Sequence, residues 1–312
     1  MNMNGSKPKV TIAIPVYNGD NFLAETLDSV LAQTFQNFEV LMVDNGSTDG
    51  TERIYRDYAA RDPRIKIHRS EVNLGVTRNF IRAVGYSSAE YFMYLAHDDM
   101  LAPSFLEQHV AVLDAHPDVA LCYPKAIEID TQGNALYKKE QFLPNADSPH
   151  PHKRFRQLIR MDHNCESQFG LMRTDVLKKT VIFAPIPDGD RIMLAEVSLY
   201  GKFYRVPDYL FMHREHEHRT LNVFPTRFDR LPLYLIPEQA GKLILPYFAE
   251  FFEYLRCIRR VPLKFTERLA CYVEMLRWVW DNRRRLTGDV MYVVKRFIKR
   301  ALGMQAHPSV AH

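Results

Sequence analysis

The chain predicts an α/β fold, a mainly parallel sheet with flanking helices, followed by a helical C-terminal region. Three observations carry this. Over residues 1–120, short β-branched runs alternate with amphipathic helical patterns. Each run ends in polar turn residues rather than leading straight into the next apolar stretch. From about residue 224 onward the pattern is helical and punctuated by proline. Strands separated by helices give a parallel sheet, so the reading is an α/β domain over 1–222 and a helical region over 223–312.

The elements follow in order. Residues 10–15 form a buried strand bounded by Pro8 and Pro15, and Leu23, Leu27, Val30 and Leu31 recur at helical spacing within 21–34. A second strand spans 38–43. The loop Asn45-Gly46-Ser47-Thr48-Asp49-Gly50 is rich in turn and N-cap residues and leads into a helix over 51–60. A strand at 65–68, a helix at 75–84, a strand at 91–96 and a helix at 102–115 with Pro103 in its first turn complete the series. Further short strands are expected at 120–123, 169–173, 203–206 and 210–213, and a helix at 191–199. Residues 143–152, with three prolines, read as a mobile loop.

Composition sets the class. Apolar residues make up 46% and charged residues 25%, which excludes large-scale disorder. Cys122, Cys165, Cys257 and Cys271 are scattered without a CxxC pair, so a zinc ribbon and a redox motif are excluded and free thiols are expected. Residues 1–8 lack the apolar segment of a signal peptide, and no run approaches the ~18 apolar residues of a membrane span. The reading is cytoplasmic. Residues 223–312 hold 16 Lys/Arg against 8 Asp/Glu, while residues 1–222 hold 25 against 29. The basic excess therefore lies wholly in the C-terminal region and points to a polyanionic surface.

In parallel sheets ligands bind beyond the carboxyl ends of the strands. That rule selects Tyr17-Asn18, 44–49 and 97–99. Adjacent Asp98 and Asp99 repel unless a cation or a donor network neutralises them, and magnesium or manganese takes one or two carboxylates plus substrate phosphates. An N-cap with a solvated neighbour fits the same pair equally well. Asp44 suits a ribose or base, or a cap on the next helix. Arg78 and Arg82, one turn apart, suit a phosphate or a solvated face. Asp188 and Asp190 precede an apolar helix, as caps or as a general base. His213, His216 and His218 cluster after a strand. No esterase elbow or P-loop is present.

Taken together, "VTIAIPVYNG", "SVLAQTFQNFEVLMVDNGSTDGT", "NLGVTRNF" and "YLAHDDML" resemble the family-2 glycosyltransferases of the GT-A fold, in that family's order and spacing. The resemblance covers about 8–220. It implies that Pro15, Tyr17 and Asp44 hold the nucleotide, with Asp44 on the base and Asp98 on the ribose. Arg78 would lie near the diphosphate, and Asp99 would be the metal ligand. Ala96 stands where many members carry an earlier aspartate, and Asn45 replaces a common second aspartate. The segment 169–216 resembles the acceptor half of bacterial members, with Asp190 as the catalytic base, Asp188 less favoured, and His216 of the Arg214-x-His216 pair completing the metal site.

What the resemblance implies is a single displacement, inverting at the anomeric carbon, with Mn2+ or Mg2+ as cofactor and a nucleotide-diphosphate sugar as donor. UDP is favoured; dTDP and GDP are the alternatives. A glycan or lipid-linked acceptor of bacterial surface polysaccharide or glycoconjugate synthesis follows, with no nucleic acid partner. A nucleotidyltransferase and a non-catalytic nucleotide-sugar-binding protein are the competing classes. Near the C-terminus Leu286, Val290, Val293, Val294, Phe297 and Ala301 form an apolar stripe flanked by Arg283, Arg284, Arg285, Lys295, Arg296, Lys299 and Arg300. A basic amphipathic helix over 283–302 suits an anionic membrane surface, a second copy in a homo-oligomer, or Leu269, Val273 and Leu276 of a preceding helix.

Overall fold

The computed structural model describes residues 7–140, 143–160, 166–234 and 243–301. β1 (Val10–Val16) is the axis of the first half. It pairs in parallel with β2 (Phe38–Asp44) on one side and β4 (Tyr91–Tyr94) on the other, and β3 (Ile65–Arg69) extends β2, also in parallel. The period of two along β1 builds both layers. Val10, Ile12, Ile14 and Val16 pack to one face with Leu23, Leu27 and Val30 of α1 (Leu23–Leu31), Tyr55 of α2 (Thr51–Arg61) and Phe105, Leu106 and Val110 of α4 (Phe105–Ala115). Ala13 points the other way with Leu41, Val43, Phe92 and Tyr94. That layer is closed by Ala83 and Val84 of α3 (Val76–Tyr86) and by helices from later in the chain. Each of the fully buried aliphatic side chains in β1 contributes roughly 1.5–3 kcal/mol.

Beyond β4 the sheet turns mixed. The order is β3-β2-β1-β4-β8-β6-β9-β5, with β7 (Ala135–Lys139) hairpinned onto β6 (Val119–Ile129). β8 (Leu171–Arg173) runs antiparallel between β4 and β6, β9 (Lys202–Arg214) runs parallel to β6, and β5 (Met100–Leu101) is antiparallel to β9. The parallel character expected from sequence thus holds for β1–β4. The two strands expected at 203–206 and 210–213 are one long strand, because Pro207 sits at a register shift against β6 rather than ending the pairing.

Two expectations are corrected. Residues 143–152 are not a mobile loop. Leu143 and Ala146 are buried in the core, Ala146 O accepts from Phe203 N–H, and Pro151 opens α5 (Pro151–Arg160), where a proline costs no helix hydrogen bond. The C-terminal stripe is not preceded by a separate helix either. α11 (Phe265–Ala301) is a single helix of 37 residues that already contains Leu269, Val273 and Leu276, and these are exposed. Leu286 packs on the core and Val293 is half-buried, while Val290 and Val294 face out. The side chains of Arg296, Phe297, Lys299, Arg300 and Ala301, and residue 302, lie outside the described residues.

The later helices complete the second layer. α6 (Thr174–Leu177) and α7 (Gly189–Tyr200) lie against the sheet, and α5 packs on α7 and α11. α8 (Thr220–Val223) and α9 (Arg227–Tyr234) follow β9. α10 (Pro246–Arg260) opens on a proline, and its Tyr254, Cys257 and Ile258 share one core with Cys271, Met275 and Trp278 of α11 and with Ile192 to Ala195 of α7. Cys122, Cys257 and Cys271 are buried free thiols; Cys165 lies outside the described residues. Among the described residues, no helix is long and apolar enough to cross a membrane.

Candidate functional site

The carboxyl ends of β1, β2 and β4 open on one edge, and three loops meet there. Asn18, with φ 51°, takes the left-handed turn that an asparagine tolerates. Its Oδ1 accepts from Thr48 N–H at 2.9 Å, and Ser47 Oγ accepts from Asn18 N–H at 3.0 Å. Gly19 lies against His97: a Cβ there would stand 2.4 Å from the imidazole, so only glycine lets the first loop touch the third. Pro15 is half-buried, and Tyr17 presents an exposed ring at the edge.

Asp44 is fully buried. Its carboxylate accepts from Ser47 N–H (2.9 Å), Ser47 Oγ (2.6 Å) and Tyr55 OH (3.0 Å), and Arg69 Nε lies 3.1 Å away. The residue expected to meet a base therefore holds the 45–50 loop in place. Burial, then the Asp44 charge, raises the Tyr55 hydroxyl well above its usual range, so it stays a donor. Arg69 also reaches Glu52 and Ser47 O. Nothing in the spacing of the sequence marked Arg69, since its partners come from a different strand and helix. Asn45, standing where an aspartate is common, joins the 73–75 turn through Asn73 Oδ1 and Leu74 N–H.

The two adjacent aspartates part ways. Asp98 Oδ2 is 2.9 Å from His216 Nε2. Burial works against its ionisation, but the His216 hydrogen bond and the nearby imidazoles outweigh it and hold its pKa low. Asp99 is 1% exposed and accepts from Arg214 N–H at 3.0 Å. Burial, reinforced by Asp98, pushes its pKa up. Of the two, Asp98 is the carboxylate at His216, while Asp99, expected as the metal ligand, turns inward and pins β9 through the Arg214 N–H. Thr26 Oγ1 lies between the carbonyls of His97 and Asp99, at 2.7 and 2.8 Å, and its one proton ties this loop to α1.

Arg214 has no exposed side-chain surface. It donates to Asp98 O, Asp130 O and Thr131 O, pairs with Glu25 at 2.7 Å and lies over the Phe22 ring. It is a staple between α1, the aspartate loop and the β6–β7 turn, and the 189-residue separation from Glu25 hid it from sequence reading. His216 packs on the same Phe22, and its Nδ1 is buried without a hydrogen-bond partner. His213 instead faces Glu128 and Glu166, which Lys139 bridges and of which Glu128 also pairs with Arg219. His218 is exposed.

Asp188 stands at the N-cap position of α7 in a left-handed conformation, but its side chain, instead of capping the helix, pairs with Arg227 at 2.6 Å and Arg230 at 3.2 Å. Two guanidinium groups thus occupy its carboxylate. Asp190, in the first turn, is half-buried and accepts from Arg191 N–H. A Cβ at Gly189 would stand 2.2 Å from Ala184 O, so the loop is drawn tight just before Asp190. Phe183, in that loop, meets Phe80 of α3 at 4.8 Å, which brings α7's entry beside the helix that carries Arg78. Arg82 is turned along α3 toward Tyr86. The cavity of about 790 Å³ lined by Lys9, Asn37, Glu90 and Lys178 lies at the opposite, amino end of β1 and β4 and takes no part in this edge.

Glycosyl transferase family 2 is matched over residues 11–180. An uncharacterised glycosyltransferase of Rickettsia typhi is 30% identical over 71% of this chain and 69% of its own length. An uncharacterised protein of Sinorhizobium fredii is 36% identical over 43% of this chain, a match that spans only 15% of that relative. Among solved structures, S. aureus TarS 1-349 in complex with UDP-GlcNAc is similar with a TM-score of 0.62 at 18% identity, over 87% of this chain and 72% of that one. The mannosyltransferase PcManGT from Pyrobaculum calidifontis in complex with GDP-Man and Mn2+ gives 0.56 at 16%, over 98% and 78%. These structural likenesses show the GT-A fold; the sequence match shows the family, and the chain belongs to glycosyl transferase family 2.

Proposed function

We propose that this chain is an inverting, metal-assisted glycosyltransferase. It moves a sugar from a nucleotide-diphosphate donor, UDP-linked in the first instance, to a hydroxyl of a glycan or lipid-linked acceptor in bacterial surface-glycan synthesis. The observation that carries the reading is the 2.9 Å pairing of Asp98 with His216 at the strand-end edge, in a chain of this family. A low-pKa carboxylate beside an imidazole fits a divalent ion of the Mn2+ or Mg2+ kind. Asp98 and His216 would hold the ion, which when bound neutralises charge on the diphosphate.

The chain's own residues do the rest. Tyr17 offers an exposed ring for the base, at the edge that Pro15 and Asp44 shape. Arg78 serves the diphosphate from the start of α3. Asp190 accepts the proton of the acceptor hydroxyl as its oxygen bonds to the anomeric carbon, while the bond from that carbon to the diphosphate oxygen breaks. One displacement gives inversion with a nucleoside diphosphate as the second product. We assign this chemistry to 1–222, and to 223–312 the task of placing the domain at a cytoplasmic membrane face.

The test is incubation with UDP-, dTDP- and GDP-sugars, scored for free nucleoside diphosphate, with and without chelator. Release from one donor class, dependent on metal, supports the reading, and NMR of the product must show the opposite anomeric configuration. Retention, or release of pyrophosphate from a triphosphate instead, overturns it.

A further inference from the structure

Away from the strand-end edge, two histidines and a glutamate converge where the C-terminal helix meets the catalytic layer. His150 and His152 straddle Pro151 at the start of α5, and Glu267 lies in the first turn of α11. His152 Nδ1 is 2.6 Å from Glu267 Oε2, and His150 Nδ1 is 3.3 Å from Oε1. The nitrogen of each imidazole and the carboxylate oxygen all lie within 4.8 Å of one another. Among the described residues Glu267 pairs with no lysine or arginine; its partners are these two rings and the His152 N–H.

A second cluster, with two carboxylates and one imidazole from Glu128, Glu166 and His213, makes the contrast. There Lys139 Nζ sits 2.6 Å and 3.3 Å from the two carboxylates, so the place of a cation is taken. At His150, His152 and Glu267 no ammonium or guanidinium fills it. The nearby Arg154 is committed to the carbonyls of Ser148, Ser198 and Leu199.

We propose that His150, His152 and Glu267 form a zinc-type metal site, separate from the transfer site, that clamps α11 to the start of α5. Two imidazoles and one carboxylate are a recognised ligand set for Zn2+, with the fourth position left to water. Tetrahedral bonds of about 2.0–2.1 Å put ligand atoms about 3.4 Å apart. His150 Nδ1 stands at that separation from one carboxylate oxygen and His152 Nδ1 lies closer than that to the other, so small rotations of the rings and the carboxylate would bring three ligand atoms that already lie within 4.8 Å onto one ion. The His152 backbone N–H also donates to Glu267 Oε2 and helps to orient the carboxylate. His150 is half-exposed on the rim of a cavity of about 610 Å³, which gives the ion a route in and the water its place.

The clamp does not depend on the transferase reading. Metal-stripped full-length protein is titrated with Zn2+ in the presence of excess Mg2+, by calorimetry and by thermal unfolding, for the wild type, His150→Ala, Glu267→Gln and Asp98→Asn. One tight equivalent and a rise in Tm are expected in the wild type and in Asp98→Asn. At least a tenfold weaker affinity and no rise are expected in His150→Ala and Glu267→Gln. His150 is exposed enough that its replacement leaves folding intact, so it decides should Glu267→Gln fail to fold. Equal zinc binding in wild type and His150→Ala, or no tight equivalent in the wild type, overturns the proposal.

Discussion

His216 Nε2 lies 2.9 Å from Asp98 Oδ2, the contact by which the end of β9 meets the loop after β4. It separates the two adjacent aspartates into different tasks, and the separation is testable. Asp98→Asn removes the charge that faces the histidine. It should weaken manganese-dependent binding of a nucleoside diphosphate by a factor on the order of 10 or more, with Tm nearly unchanged. Asp99→Leu leaves the Arg214 N–H without its buried acceptor and should destabilise the fold by roughly 1–3 kcal/mol. Calorimetric binding and denaturant unfolding read the two effects separately; the reverse pattern would return the ligand role to Asp99.

The loop before α7 gives a second contrast. Asp190→Asn keeps size and hydrogen bonding but accepts no proton, so turnover should fall by a factor on the order of 10² or more, with donor affinity unchanged. Asp188→Asn loosens Arg227 and Arg230 and should cost stability, about 1–3 kcal/mol, before it costs chemistry. Steady-state kinetics beside urea unfolding checks both. A dead Asp188→Asn with normal stability would move the base by two residues.

Much of the fold was legible because period and punctuation agree in the first half of the chain. The alternation of β1 and the helical spacing of Leu23, Leu27 and Val30 each bury one face, so local pattern and final packing coincide. Residues 143–152 misled because prolines mark helix starts as well as loops, and Pro151 is a start. At the candidate site, the polar residues that end β1, β2 and β4 do meet at one edge, as their places at strand ends implied. Which aspartate meets His216 was not legible, since it depends on Thr26 and Arg214, each more than 70 positions away from at least one partner. The same holds for Glu25 and Arg69, whose roles exist only once the chain has folded.

Glu196, fully buried in α7, pairs with Arg260 of α10. Burial dominates over the arginine and raises its pKa above the usual carboxylate value. The folded state thus holds the proton more tightly than the unfolded chain. This group's contribution is most favourable below about pH 4.5 and is lost as pH rises through the raised folded value. Glu196→Gln cannot ionise, so its stability relative to wild type should improve between pH 5 and pH 8. Urea midpoints at both pH values check the sign; a relative loss at pH 8 would mean that the Arg260 pair outweighs burial.

The last prediction concerns the outer face of α11. Phe265, Leu276 and Trp280 are 79%, 72% and 68% exposed, and with Leu269 and Val273 they recur every three or four residues along one side of the helix. Val290, Val294 and Ile298 continue the exposed apolar surface. Leu286, by contrast, is spent on the core. The surface expected to meet a membrane therefore begins some 18 residues earlier than residue 283, where sequence reading put it. Lys264, Arg268, Arg277, Arg283 and Arg284 lie along the same stretch, and Arg283 covers the Trp280 ring. Near anionic lipid each such residue contributes ~1 kcal/mol, and the apolar side chains add burial. Leu276→Glu combined with Trp280→Glu reverses both terms at exposed positions, where folding is little affected. Flotation of the intact protein with vesicles containing anionic phosphatidylglycerol should be lost in the double variant, and weak for both proteins on neutral phosphatidylcholine. Equal flotation of wild type and variant on the anionic vesicles, or flotation of neither, would show that this face does not meet lipid.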